Sequence, residues 1–250
     1  MSFLGGGYNN SIQTNAYQSV LGGGADNQIT NGAYVGTIGG GTHNRVGGAG
    51  GTVPGGNGNG ANGVNSFAAG TQAKALHDGA FVLTDLHYSD FPSTNANQFR
   101  ARFYGGYQLY SSASAGVQLA AGGGSWTSLS DRNAKENLQP VSATEMLEKV
   151  AVLPLSTWNY KSQDASIRHI GPMAQDFKAA FGVGETDTGI TTVDADGVAL
   201  AAIQGLNEKV ESGKQKAESR MERLEAENAE LKRRLEGLEQ LVLKLTAKGE

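Results

Sequence analysis

Hydrophobic and glycine positions repeat with a fixed period over residues 1–70. The glycine triplets and the apolar residues that follow them recur at one constant spacing, at Gly5, Gly22 and Gly39, at Ile12, Ile29 and Val46, and at Tyr17 and Tyr34. Shorter copies follow at 53–56, 67–70 and 80–83. A repeat this short has room for one strand-turn-strand unit. The pattern therefore predicts a solenoid of stacked β coils over residues 1–84.

Each predicted coil has an asparagine-rich corner, at Asn9-Asn10, Asp26-Asn27 and His43-Asn44, whose residue types tolerate left-handed backbone angles. A coil this narrow leaves one or two apolar side chains per turn, so we expect copies of the chain to share their interior. The alternative is a disordered Gly/Asn linker. The register of isoleucine and tyrosine with the triplets argues against disorder.

On these residues, the repeats resemble the β-roll heads of trimeric autotransporter adhesins and of phage and bacterial fibre proteins, in which three chains lie side by side. The resemblance implies an all-β, trimeric head or shaft. Residues 85–129 alternate in short runs between glycine turns and read as a β connector.

The motif that carries chemistry lies at 130–137, with the pattern S-D-R-x-x-K-E-N. Together with residues 146–150, 155–160, 169–177 and 194–200, it resembles the self-cleaving intramolecular chaperone domain at the C-terminus of phage endosialidases, tail spikes and tail fibres, assigned to the S74 peptidase family. The resemblance implies a domain over 130–203 that assembles the preceding fibre as a trimer and then cuts itself off. It also implies a scissile bond at Leu129-Ser130, with Ser130 as nucleophile and Lys135 as general base.

The residue chemistry agrees with these roles but sets a geometric condition. A serine hydroxyl needs a base, and a lysine acts as one only where burial or a like charge lowers its pKa; Arg132 is such a charge nearby in sequence. Five positions apart, Ser130 and Lys135 would lie about 140° apart on an α-helix and would not meet. They need a turn, or two different chains. Without the flanking context, Ser130-Asp131 would read as a helix cap and Lys135-Glu136 as a solvated pair.

The rest of this region has ordinary local signals. Residues 142–145 form a capping box before a short helix, residues 155–161 alternate as a strand, and residues 173–181 predict a second helix. Asp194 to Gly197 lacks the carboxylates of a calcium loop and reads as a hairpin turn, and His169 reads as structural. We expect no metal and no cofactor.

From residue 204 to 250 the sequence predicts a parallel coiled coil. The heptad places d positions at Ile203, Val210, Ala217, Leu224, Leu231, Leu238 and Leu245, and a positions at Asn207, Lys214, Met221, Asn228, Leu235 and Val242. Opposite charges pair between g and e positions in a parallel register, Glu227 with Lys232 and Arg234 with Glu239. The polar a residues favour two strands over three. The resemblance of the head and chaperone favours three.

The composition of the chain excludes several classes of protein. The chain has 250 residues, 37 Gly, no Cys and a formal net charge of -4, which excludes a disulfide scaffold and a polycation for nucleic acid. No apolar run approaches the roughly 20 residues of a membrane span. A glycan hydrolase head would need paired carboxylates, and residues 1–84 hold only Asp26 and Asp78. A membrane-tethered transcription factor would need a basic DNA-binding region.

The sequence therefore predicts a mixed fold: a trimeric β-roll head, a β connector, and an α+β chaperone that ends in a parallel trimeric coiled coil. The predicted function is the tip of a homotrimeric fibre that assembles through its chaperone and cleaves itself. The alternative is the same fibre with an uncleaved chaperone that stays as a structural or receptor-binding tip. The expected partners are two further copies and a glycan or protein receptor, on a virion or a bacterial surface.

Overall fold

The structure, a computed structural model, describes residues 1–113 and 115–246, with side chains up to Lys244. The described part of the chain does not include the side chain of the predicted d residue Leu245 or the coiled-coil residues 247–250. The chain divides into two compact units, Met1–Ala134 and Lys135–Glu250.

The first unit opens with fourteen short strands. They are β1 (Phe3–Leu4), β2 (Ser11–Ile12), β3 (Val20–Leu21), β4 (Gln28–Ile29), β5 (Thr37–Ile38), β6 (Arg45–Val46), β7 (Thr52–Val53), β8 (Gly56–Asn57), β9 (Gly60–Ala61), β10 (Phe67–Thr71), β11 (Ala73–Ala75), β12 (Phe81–Thr84), β13 (Phe91–Pro92) and β14 (Phe99–Arg102). One parallel sheet has the order β1-β3-β5-β7-β10-β12-β14, with β8 beside β10, and a second has the order β13-β11-β9-β6-β4-β2. The predicted β-solenoid is confirmed.

Strand register follows the sequence repeat. Phe3 pairs with Val20 and Val20 with Thr37, both at the spacing of the glycine triplets, whereas Thr37 pairs with Thr52 at a shorter spacing. The spacing contracts as the shorter copies predict. The parallel ladder also continues beyond residue 84, because β12 pairs with β14 through Phe81 and Phe99.

The solenoid closes its interior within one chain. Leu21, Ile38 and Val53 point inward from one sheet towards Ile29 and Val46 of the other, and all five are fully buried. The expectation that several chains share this interior is therefore wrong. Each coil supplies few apolar side chains, but the coils above and below cover them, so burial accumulates along the stack.

A ladder of buried asparagines runs beside this core. The side-chain oxygen of each asparagine accepts a hydrogen bond from a backbone N–H one coil later: Asn10 from Asn27, Asn27 from Asn44, Asn44 from Asn59, and Asn59 from Ala73, at 2.9–3.1 Å. Each side-chain nitrogen donates to two glycine carbonyls; that of Asn27, for example, donates to Gly23 and Gly41. Because both ends of these amides are satisfied, the ladder ties each coil to the next.

The ladder also explains the third glycine of each triplet. Gly41 has a φ of 87°, and a Cβ there would overlap the Gly56 carbonyl and lie 2.7 Å from the Asn44 nitrogen. Asp26 and His43, which precede the ladder asparagines, adopt left-handed angles of 56° and 55°, as the corner residues predict.

The end of the solenoid is covered by polar and aromatic contacts. Phe91 packs against the core, and the guanidinium groups of Arg100 and Arg102 lie 4.4 and 4.9 Å from the centre of its ring. Asp85 accepts a hydrogen bond from the Tyr104 backbone N–H at 2.7 Å and contacts His87 Nδ1 at 2.8 Å. The Tyr104 bond is the main reason that the pKa of Asp85 is lowered.

An antiparallel sheet completes the first unit. It consists of β15 (Tyr107–Tyr110), β16 (Gly116–Leu119) and β17 (Thr127–Ser128), with β16 in the middle. The glycine-rich residues 122–124 lie between β16 and β17, where the sequence interrupts its alternation.

The second unit contains α1 (Ala143–Val152), β18 (Ser156–Trp158), β19 (His169–Gly171), α2 (Ala174–Phe181) and α3 (Thr192–Thr246). Ser142 is the N-cap of α1, as predicted, because its side chain accepts a hydrogen bond from the Glu145 N–H; the Glu145 carboxylate pairs with Lys149 at 2.8 Å. β18 and β19 form an antiparallel pair.

The hairpin turn predicted at Asp194 to Gly197 is wrong, because these residues lie inside α3. Thr191 caps the helix: its hydroxyl accepts a hydrogen bond from the Asp194 N–H at 3.1 Å and donates to the Asp194 carboxylate at 2.7 Å. This reciprocal cap satisfies the helix start and outweighs the poor helix propensity of Gly197.

Helix α1 packs against the start of α3 at a glycine. A Cβ at Gly205 would overlap the Ala143 carbonyl and lie 3.1 Å from the Leu147 Cβ, so only glycine permits this approach. Ala202 is buried on the same side. At 100° per residue, this side lies about 120° around α3 from the predicted seam residues Ile203 and Val210. α1 therefore leaves the seam uncovered.

Candidate functional site

The predicted scissile bond directly follows the last strand of the first unit. The Leu129 backbone N–H donates to the Gly116 carbonyl at 3.3 Å, which extends the pairing of β17 with β16 by one residue. Leu129 and Ser130 are both exposed. The peptide bond is thus held at its N-terminal side by the sheet and is accessible.

A single turn follows Ser130. Residues Arg132–Ala134 form a 3-10 helix, capped by the Asp131 carboxylate, which accepts hydrogen bonds from the Asn133 backbone N–H at 3.0 Å and side-chain nitrogen at 3.2 Å. Asp131 therefore has the capping role that an ordinary reading of Ser130-Asp131 suggests. The chain between Ser130 and Lys135 therefore turns at 132–134 and does not form an α-helix.

The predicted dyad is divided between the units, since Ser130 belongs to the first and Lys135 to the second. Both residues are exposed, as is Arg132. A lysine becomes a general base through burial or a neighbouring like charge. In the described part of one chain, Lys135 is not buried.

His169 takes part in packing. Its ring lies 4.8 Å from that of Trp158 and 5.6 Å from that of Tyr160, and its Nε2 contacts the Gln163 side-chain oxygen at 2.9 Å. The neighbouring Arg168 donates to the Thr157 carbonyl and so ties β19 to β18. These contacts fit a structural role.

The predicted coiled-coil seam is exposed along α3. The apolar a and d side chains are between 43% and 62% exposed at Ile203, Val210, Met221, Leu224, Leu231, Leu235, Leu238 and Val242. These side chains are the ones that sequence periodicity selects. Their exposure in a single chain means that any burial of the seam requires another helix.

An apolar groove in the first unit was not predicted from the sequence. It encloses about 490 Å³ between the last solenoid strands and the antiparallel sheet, and its lining includes Leu83, Phe99, Leu109, Leu119 and Trp126. The aromatic alternation of residues 99–110 was the available signal, but alternation alone does not tell which side of a strand is covered.

The described residues offer neither a metal cluster nor a membrane helix. Within residues 1–113 and 115–246, no three His, Cys, Asp or Glu side chains are grouped so that they could hold a metal ion. In the same part of the chain, no helix combines the length and apolar character of a membrane span.

Comparison with known families identifies one region. Residues 130–183, about a fifth of the chain, match the Peptidase S74 family, described as chaperone of endosialidase. The matched region begins at Ser130, directly after the antiparallel sheet. Neither the curated proteins nor the solved structures gave a significant match. An S74 chaperone domain behind a β-solenoid fits a protein of the tail-fibre type and indicates a role in fibre assembly, with a possible autoproteolytic activity.

Proposed function

We propose that this chain is part of a homotrimeric fibre, on a phage virion or a bacterial surface, and that residues from Ser130 onward assemble the trimer and then cut the Leu129-Ser130 bond. The observation that carries the proposal is the position of the S74 match, whose first residue follows the last strand of the first unit. A cut at this point separates a finished β structure from the domain that assembled it. The fibre's partner is a glycan or protein receptor on a cell surface.

The exposed seam of α3 supports assembly through this helix. Burying one leucine or isoleucine side chain contributes about 1.5–3 kcal/mol, and the d positions of the seam include Ile203, Leu224, Leu231 and Leu238. A parallel arrangement places Glu227 against Lys232 and Arg234 against Glu239 of neighbouring chains. The long helix nucleates association through local contacts, which is faster than pairing β-strands across chains.

The chaperone solves a register problem. Successive coils repeat at the same spacing and pair in the same parallel register, so chains displaced by one coil still align strand with strand. The helices align the three chains before the solenoids come together. After cleavage, the shaft lacks the segment that guided its assembly. It therefore cannot readily reassemble once unfolded, and its stability is kinetic.

The cleavage chemistry uses one nucleophile and one base. The Ser130 hydroxyl attacks the Leu129 carbonyl carbon as Lys135 takes the hydroxyl proton, and the Ser130 amide nitrogen leaves with a proton. The resulting ester between Leu129 and the Ser130 oxygen is hydrolysed by water, which gives a carboxylate on Leu129 and a free amine on Ser130. Enclosure of Lys135 by a neighbouring chain makes the reaction depend on correct assembly.

The test is a denaturing gel of the purified chain. The unaltered protein gives fragments of residues 1–129 and 130–250, and Ser130→Ala or Lys135→Ala gives one intact band. Ser128→Ala, a second exposed serine two positions away, is the control and is expected to cleave normally. Unchanged cleavage in both dyad variants contradicts the assignment. An intact band from the unaltered protein in a trimer favours the retained, uncleaved tip.

A further inference from the structure

The two outer faces of the solenoid differ in polarity. Along the first sheet, the side chains that alternate with buried core residues are aligned from strand to strand: Phe3, Val20, Thr37, Thr52, Phe67, Phe81 and Phe99. Phe67 and Phe81 stack at 5.2 Å between ring centres. Phe67, Phe81 and Phe99 thus form an aromatic ridge over the last strands of this sheet, whereas threonines occupy the row on β5 and β7.

The second sheet presents a polar surface instead. Its side chains that alternate with the core include Ser11, Gln28, Arg45 and Lys74. The first outer face is therefore aromatic towards the end of the solenoid, where the second face carries Lys74.

The aromatic ridge leads into the groove at the end of the solenoid. We define the apolar face as Phe81, Leu83, Phe99, Leu109, Leu119 and Trp126. Phe99 is 68% exposed, Leu109 62% and Trp126 52%. With aromatic side chains of about 150–250 Å² each, the face exposes roughly 500–600 Å², close to the upper limit for a monomer and to most of the ~800 Å² that each partner buries in a stable interface.

We propose that this apolar face is the surface on which a second copy of the chain docks. In a symmetric assembly, residues near the axis meet their own copies. The polar face would bring Arg45 to Arg45, which repel, whereas the apolar face carries no charge and is complementary to itself. A second copy also has the same spacing of about 4.8 Å between strands, so its ridge positions on β10, β12 and β14 match those of the first copy.

Docking at this face would also set the position of the scissile bond. Leu119 of the apolar face lies on β16, which pairs with β17, and Leu129 follows β17 directly. A copy seated in the groove therefore fixes the segment before Ser130. This consequence rests on the proposed cleavage; the docking surface does not.

The absence of cysteine in the chain allows a direct test. Phe99→Cys places one thiol on the apolar face, and Arg45→Cys places one on the polar face, both on exposed solenoid positions. A short bis-maleimide is added to each full-length variant in dilute solution. We expect crosslinked dimers of the N-terminal fragment or intact chain with Phe99→Cys and at least tenfold less with Arg45→Cys.

Leu109→Cys is the second variant on the apolar face, and circular dichroism with native mass confirms that each variant is folded. Native trimers that crosslink at neither Phe99→Cys nor Leu109→Cys, or that crosslink equally at Arg45→Cys, overturn the docking surface and leave the proposed function intact. A folded monomer overturns both proposals.

Discussion

The solenoid and the long helix α3 handle their apolar residues in opposite ways. Leu21, Ile38 and Val53 are fully buried within one chain, whereas Leu231 and Leu238, at repeating positions of α3, are 60% and 59% exposed. The first region completes its interior alone, although it is the region poorest in large apolar side chains. Helix α3 has the regularly spaced apolar residues of a helix–helix interface, but they do not pack against another element of the described chain. Burial of the apolar side chains within one chain therefore depends more on how the coils stack than on composition.

The asparagine ladder should be the most sensitive part of the self-sufficient region. Asn44→Ala removes an amide whose partners are the Gly40 and Gly56 carbonyls and the Asn59 N–H. The Asn59 N–H, on a buried residue, then lacks its partner, which costs about 1–3 kcal/mol, whereas the Gly56 carbonyl keeps the Thr42 N–H. With the two lost bonds to glycine carbonyls at about 0.5–1.5 kcal/mol each, we expect a loss of about 2–6 kcal/mol in the free energy of unfolding.

Chemical denaturation followed by circular dichroism measures this loss. The control is Asn95→Ala, at an exposed asparagine whose side chain donates only to Thr94. A loss below about 1 kcal/mol for Asn44→Ala would contradict the role of the ladder.

Two adjacent glycines test whether the third position of a triplet requires glycine for its backbone conformation. Gly41→Ala forces a left-handed φ on a Cβ that overlaps the Gly56 backbone, whereas a Cβ at Gly40 meets nothing within 4 Å. We expect Gly41→Ala to cost about 2–4 kcal/mol and Gly40→Ala less than about 1 kcal/mol. The same denaturation experiment compares the two variants. Equal effects would show that the third glycine of the triplet has no special backbone role.

Two exposed leucines of α3 test whether the helix is part of an interface. Leu238 is at a predicted d position and Leu243 at a b position, and they are 59% and 60% exposed. A solitary helix predicts the same small effect for both alanine variants. A coiled coil predicts that Leu238→Ala lowers stability by about 1–2 kcal/mol per chain and Leu243→Ala by only a few tenths. Thermal melting of the helical signal at fixed chain concentration measures the difference.

The smallest expected effect is a pH dependence at the end of the solenoid. The pKa of Asp85 is lowered from 3.8, first by the Tyr104 N–H. A carboxyl with a lowered pKa in the folded state stabilises the fold above its ordinary pKa, and this contribution disappears as the pH falls through the lowered value. The melting temperature of the unaltered chain should therefore exceed that of Asp85→Asn near neutral pH and approach it in acid. A constant difference across this range would contradict the assignment.

Local signals in the sequence predicted much of the fold. The constant spacing of the glycine triplets predicted the coils, and the Ser142 box predicted α1, because each depends on neighbours along the chain. The closed interior was missed because burial between coils is a property of the stack. The Thr191-Asp194 cap was overlooked in favour of the turn-forming Asp and Gly residues that follow it.

The sequence predicted which residues belong to the candidate site but not how they are arranged or enclosed. The motif at 130–137 names Ser130 and Lys135, but the enclosure of a lysine is set by packing, and the described residues of one chain leave Lys135 exposed. Likewise, the role of Gly205 depends on α1, which is distant in sequence. Features that depend on distant elements or on other chains leave little trace in a local pattern.

The central claim is that the region from Ser130 onward joins three chains whose solenoids are each complete. Native mass spectrometry of the purified full-length protein, run beside a Leu231→Asp/Leu238→Asp variant, tests it most directly. The account predicts a mass of three chains, with or without the cut at Leu129-Ser130, and a loss of that trimer when charges enter the seam. A monomer or dimer of the unaltered protein would contradict it.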